Sequence, residues 1–74
     1  MWVEVQIHGG LGSRVGRLAR LEIEPRSTVR DIARRLGIPL EKVGMIVADG
    51  RLCGADDLVE DVQRISFFPP IMGG

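Results

Sequence analysis

Cysteine and histidine each occur once in the 74 residues, as Cys53 and His8. A single cysteine closes no intramolecular disulfide and supplies neither a Cys-x-x-Cys pair nor an iron–sulfur ligand set. One cysteine and one histidine cannot build a zinc site between them. No metal is therefore expected. No apolar run approaches the roughly 20 residues that a membrane-spanning helix needs, so no membrane partner is expected either. The opening stretch MWVEVQIHGG starts directly on a strand pattern. It lacks the basic start and long apolar stretch of a signal peptide, which places the expected location in the cytoplasm. Neither a P-loop nor a Gly-x-Gly-x-x-Gly between strand and helix is present. The chain is accordingly not expected to bind ATP itself.

Charge of either sign is not in excess: ten basic residues balance ten acids. The distribution is uneven. Residues 1–37 hold seven Arg against four acids, for +3, and residues 38–74 hold three basic residues against six acids, for −3. Without a basic block or interleaved aromatics this reads as solvated faces of opposite sign, with a charged docking face for a protein as the sharper alternative. Nucleic acid is not an expected partner. At 45% hydrophobic and 27% charged residues the composition is that of a globular chain. A single domain of this length buries only about 60% of its unfolded surface, leaving little room for a deep substrate pocket beside a core.

What is present begins with alternation. In WVEVQIH, Val3, Val5 and Ile7 face one way and Glu4, Gln6 and His8 the other, the period of a half-buried strand. GGLGSRVG reads as a loose hairpin connection, and RLARLEIE resumes the alternation with Ala19, Leu21 and Ile23 inward. After Pro25 the period changes. Val29, Ile32, Ala33 and Leu36 form the apolar stripe of a helix. Thr28 is its expected N-cap, with Asp31 in the capping-box position. Gly37 is the expected left-handed residue at its end, and Pro39 comes shortly after. Asp49-Gly50 between MIVA and RLC is the favoured two-residue hairpin turn. ADDLVED reads as a polar turn segment anchored by Leu58. VQRISFF is the last strand, with Ile65 and Phe67 inward, and Pro69-Pro70 ends it.

Five strands and one long helix share one core in so short a chain only if the sheet wraps the helix. The first and last strands then lie side by side and parallel at the centre. The expected class is α+β, with residues 1–68 as the folded body and 69–74 as an extended tail. That order, with EIEPRSTVRDIARRLGIP in its middle, resembles the ubiquitin-like β-grasp fold. The tail FFPPIMGG is similar to that of the MoaD/ThiS family of small sulfur carriers, and Pro-Pro-x-x-Gly-Gly fits the molybdopterin type better than the thiamine type. Two stretches depart from the family. HGGLGSRVG comes after the first strand where an aromatic, Leu-Arg-containing segment is usual, and Glu60-Asp61 stands where Gly-Asp is common.

The resemblance implies a function for the end of the sequence. In this family the terminal carboxylate, here that of Gly74, is adenylated with ATP inside a ubiquitin-activating-type partner and converted to a thiocarboxylate. The carrier binds no cofactor, since the partner uses the ATP. The other implied partners are a sulfur donor of the cysteine desulfurase or rhodanese type and an acceptor synthase subunit in molybdopterin, tungstopterin or thiamine thiazole synthesis. The free carrier is expected to be a monomer and not an enzyme. Gly73 and Gly74 let bare backbone pass where any Cβ would clash. Pro69 and Pro70 stiffen the exit and lower the entropy lost on insertion. Ile71 and Met72 are the expected apolar anchors inside the partner.

The plainer reading of each remaining residue stands beside this one. Phe67 reads as core. Phe68, Val47 and Met45 alternate outward and make a candidate docking patch, against the ordinary presence of single exposed apolar residues. Cys53 reads as a small strand residue and His8 as a surface residue. Trp2 reads as an edge shield or a core cap. Two other functions remain open: a protein modifier joined through Gly74 to target lysines, and a β-grasp interaction module. Lys42 is the single lysine of the chain, hence the one site for chains built on itself.

Overall fold

The alternation of WVEVQI becomes β1 (Trp2–Ile7), with Val3, Val5 and Ile7 buried, in a computed structural model that describes residues 1–9 and 18–70. The loop expected over Gly9–Gly16 lies outside the described residues except for Gly9. β2 (Leu18–Glu22) pairs antiparallel with β1, Val3 opposite Leu21 and Val5 opposite Ala19. The inward parity expected for Ala19, Leu21 and Ile23 holds, with Ile23 fully enclosed just beyond the strand.

Helix α1 (Val29–Leu36) starts and stops where its end signals place it. The Asp31 N–H donates to the Thr28 hydroxyl at 3.2 Å, and the Thr28 N–H donates to the Asp31 carboxylate at 3.0 Å. These reciprocal bonds satisfy two N–H groups that the first turn cannot pair itself. Gly37 takes φ 72°, and the Ile38 N–H bonds back to the Ala33 carbonyl at 2.8 Å, the 6→1 bond of a Schellman ending. A 3₁₀ turn (Leu40–Lys42), not expected from the sequence, leads into β3 (Met45–Ala48) and β4 (Arg51–Leu52). Asp49 and Gly50 turn between them with φ 49° and 84°. β5 (Arg64–Phe68) closes the sheet, whose order is β2-β1-β5-β3-β4 with β1 and β5 parallel at its centre.

One face of this sheet holds the core. Val3, Val5, Ile7, Ile65 and Phe67 pack with Val29, Ile32 and Ala33 of the helix. The segment after β4 departs from the sequence reading. Leu58 is 54% exposed, and its neighbour Val59, at 1%, is the buried anchor. The reason is nonlocal. The Val29 and Arg30 N–H groups donate to the Asp57 and Ala55 carbonyls at 3.0 and 2.7 Å, and the Val59 N–H donates to the Ser27 carbonyl at 2.9 Å. Residues 55–59 thus cover the helix N-terminus, and the ladder sets which side chain turns inward. Asp61 carries a left-handed conformation at φ 63°, which Asp tolerates better than most side chains.

Candidate docking face and tail exit

The sheet face opposite the helix is set by parity and register. Ile46 pairs with Phe67 and both turn to the core, so Met45 and its partner Phe68 turn outward. Val47 pairs with Ser66 on one side and with Leu52 on the other, which puts all three on the same outer face. Val47 and Phe68 are therefore diagonal neighbours on adjacent strands, a separation of about 7–8 Å that an aromatic ring can span. The structure brings the three residues Met45, Val47 and Phe68 together. It adds Leu52, 73% exposed on the sheet edge. Leu52 was legible in principle, because a two-residue turn at Asp49-Gly50 forces residues 47 and 52 to share a face.

His8 corrects the sequence reading. It is half-buried rather than a surface residue, and its ring stacks on Phe68 with centroids 4.2 Å apart and planes within 10°. The His8 N–H extends the β1–β5 ladder to the Phe67 carbonyl at 3.0 Å, and parallel register then places residues 8 and 68 side by side. The His8 Nε2 atom is buried without a hydrogen-bond partner among the described residues. Trp2 lies apart from this patch on β1, 54% exposed with the Arg20 guanidinium 5.3 Å from its ring centre, so it does not cap the core.

The outer patch runs into an apolar groove of about 950 Å³ lined by Leu40, Val43, Met45, Leu52, Phe68 and Pro70, among others. Cys53 also borders it. Its N–H donates to the Ile46 carbonyl at 2.9 Å, and burial, with the Asp57 carboxylate adding to it, pushes the thiol's pKa up. A raised pKa keeps the sulfur as the less nucleophilic thiol. Cys53 lies one residue beyond β4 and so is not the strand residue expected, but it is partly buried against the core. Pro69 and Pro70 leave β5 beside this groove. Ile71, Met72, Gly73 and Gly74 lie outside the described residues. Among the described residues there is no group of three or more His, Cys, Asp or Glu side chains that could hold a metal, and no helix is long and apolar enough to cross a membrane.

Against known families, residues 12–72 match the one described as Mut7-C ubiquitin. The chain belongs to the Mut7-C ubiquitin family. The match spans β2 through β5 and most of the tail, so the ubiquitin-like reading of the sequence holds for the family as well as for the fold. Among solved structures the family member is similar to SAMP1 from Haloferax volcanii, at 17% identity and a TM-score of 0.74 over 100% of both chains. It is also similar to H. volcanii small archaeal modifier protein 1, at 15% identity and a TM-score of 0.71 over 95% of this chain and 98% of that one. At such identities the likeness is one of fold, the β-grasp. No curated protein matches.

Proposed function

We propose that this protein is a ubiquitin-like sulfur carrier of the cytoplasm, a co-substrate rather than an enzyme. The observation that carries the reading is the junction of two features at one end of the sheet. The apolar patch of Met45, Val47 and Phe68 lies where Pro69-Pro70 leaves the last strand, and Ile-Met-Gly-Gly comes next in sequence. A partner that covers the patch has the tail within reach, since six residues from Pro69 extend about 20 Å. In the activation step a Gly74 carboxylate oxygen attacks the α-phosphorus of ATP and pyrophosphate leaves. The terminal sulfur of a donor persulfide then attacks the acyl carbon and AMP leaves, giving an acyl disulfide. A thiol attacks the donor-side sulfur, forms a disulfide with it, and releases the thiocarboxylate for the acceptor synthase. Molybdopterin or tungstopterin synthesis is favoured over thiazole synthesis by the two prolines of the tail.

The test is an intact mass after incubation with ATP, a sulfur donor and the activating-type enzyme of the same genome. Replacement of one oxygen by sulfur is the expected result, and an unchanged mass sinks the carrier reading. Deleting Gly74 is expected to abolish the change and leave the thermal midpoint where it was.

A second reading, a modifier joined through Gly74 to target lysines, is favoured by the name of the similar small archaeal modifier protein. Both readings share the adenylation step. Adducts of higher mass in a blot of cell extract that vanish on deleting Gly74 would select the modifier. The family description, which couples a ubiquitin-like fold to Mut7-C, favours a third reading as an interaction module. In that case neither assay shows a change.

A further inference from the structure

The exit of the tail is held by the body, and a glycine makes the hold. The Gly44 N–H donates to the Phe68 carbonyl at 2.8 Å, which pins the chain at the last residue before the prolines. A Cβ on Gly44 would overlap the Pro70 Cα and would stand 2.8 Å from the Pro70 nitrogen and 2.9 Å from the Pro69 carbonyl oxygen. On the other side a Cβ on Gly9 would come within 2.7 Å of the Pro69 Cγ. The prolines thus run between two bare Cα atoms, one ending β1 and one opening β3. With the Phe68 carbonyl fixed, the proline rings lock φ at two successive positions, and a residue before proline is held extended. The direction in which the chain leaves the body is thereby narrowed.

We propose that Gly44 is a positioning residue that aims the Gly74 carboxylate into the partner's adenylation site, with Gly9 as the opposing wall. The inference rests on the carrier reading and deepens it. The clash at Gly44 is with backbone atoms, so any side chain there must move the whole tail exit. Gly44 is exposed and lies outside the buried core cluster. It adjoins the patch through Met45 and the Phe68 carbonyl, but the overlap of an added Cβ is with the two prolines, so delivery should suffer more than docking. Misplacing a reacting group by about 1 Å costs on the order of a hundredfold in rate.

The experiment is ATP–pyrophosphate exchange by the activating-type enzyme of the same genome, with the carrier concentration varied. For Gly44→Ala the expected result is a kcat lower by on the order of tenfold to a hundredfold, with KM within about twofold of wild type. Gly54→Ala is the control, because its Cβ would meet only the Asp57 carboxylate at an ordinary 3.8 Å, and both constants should stay unchanged. The double variant Pro69→Gly/Pro70→Gly loosens the clamp without adding an atom to the body. It should lose kcat in the same way, and it decides the matter if Gly44→Ala does not fold. An NMR cross-peak between the Gly44 and Pro70 Hα protons is expected in the wild type and lost in Gly44→Ala. A wild-type kcat in Gly44→Ala, an equal loss in Gly54→Ala, or absence of that cross-peak overturns the proposal. If the wild-type protein is not activated at all, the carrier reading fails separately, and the cross-peak alone decides whether the clamp exists.

Discussion

Phe67 has no exposed surface and lies in β5 between the two strands that join the halves of the sheet. Truncation to alanine there removes transfer energy and leaves a cavity, together worth about 3–5 kcal/mol. A domain of this length has on the order of 4–11 kcal/mol in all. Phe67→Ala is therefore expected to fall near or below the folding threshold, read as loss of a cooperative thermal transition. Glu4 is the contrast. Its carboxylate accepts from Arg64 at 3.0 Å across β1 and β5, but both side chains are about half exposed. Exposed pairs contribute about 0–1 kcal/mol, so a Glu4→Gln change that also abolished the cooperative transition would refute this weighting. Phe68, one residue on from Phe67, shows the limit of parity: it points outward as expected, yet the His8 ring half covers it.

Helix α1 depends on its two ends. Thr28→Ala removes the N-cap acceptor and is expected to cost about 1 kcal/mol. The Asp31 carboxyl is held below the usual range, chiefly by the Thr28 backbone N–H and then by the hydroxyl. A depressed pKa stabilises the fold above the unfolded value of about 3.9 and stops doing so as pH falls through the lower folded value. The wild type should thus exceed Asp31→Asn in denaturant midpoint at pH 7, and the gap should close as pH falls through the lowered folded value. A constant gap across that range would assign the effect to packing instead. At the other end Gly37 has φ 72° and open space around it, so Gly37→Ala meets a conformational cost and no clash. The expected loss is about 1–2 kcal/mol. Both ends of this helix were legible because caps are local, written within four residues. The covering of its first turn by residues 55–59 was not, since those carbonyls approach across 25 and 28 positions of chain.

The central parallel pair joins residues 60 positions apart, as in Glu4 and Arg64. Closing so long a loop costs entropy before any contact repays it, so such pairings form late in folding. Ile65→Val should therefore cost about 0.5–1.5 kcal/mol and show mainly as faster unfolding, with the folding arm of the chevron little changed. A slowed folding arm would place β5 in the folding nucleus instead. The charge asymmetry also belongs to the whole molecule. With the order β2-β1-β5-β3-β4, the Arg-rich half contributes one side of the sheet and the acidic half the side that carries the patch. A partner docking there is expected to associate more slowly as salt rises, with a smaller effect on dissociation.

By itself the sequence determined the strands, the helix with both its caps, the Asp49-Gly50 turn and the central parallel pairing. Each arises from side-chain period or from backbone conformations that only certain residues adopt, and five strands with one helix leave few ways to share a core. The roles expected of the tail residues Pro69 to Gly74 came from their resemblance to a sulfur-carrier tail. Only the tertiary structure decided that Val59 and not Leu58 is buried, that His8 lies against Phe68, and that Gly44 and Gly9 grip the prolines. Those three facts depend on which distant segments come within a few ångströms of one another. Packing sets such distances, and no local pattern in the chain encodes them.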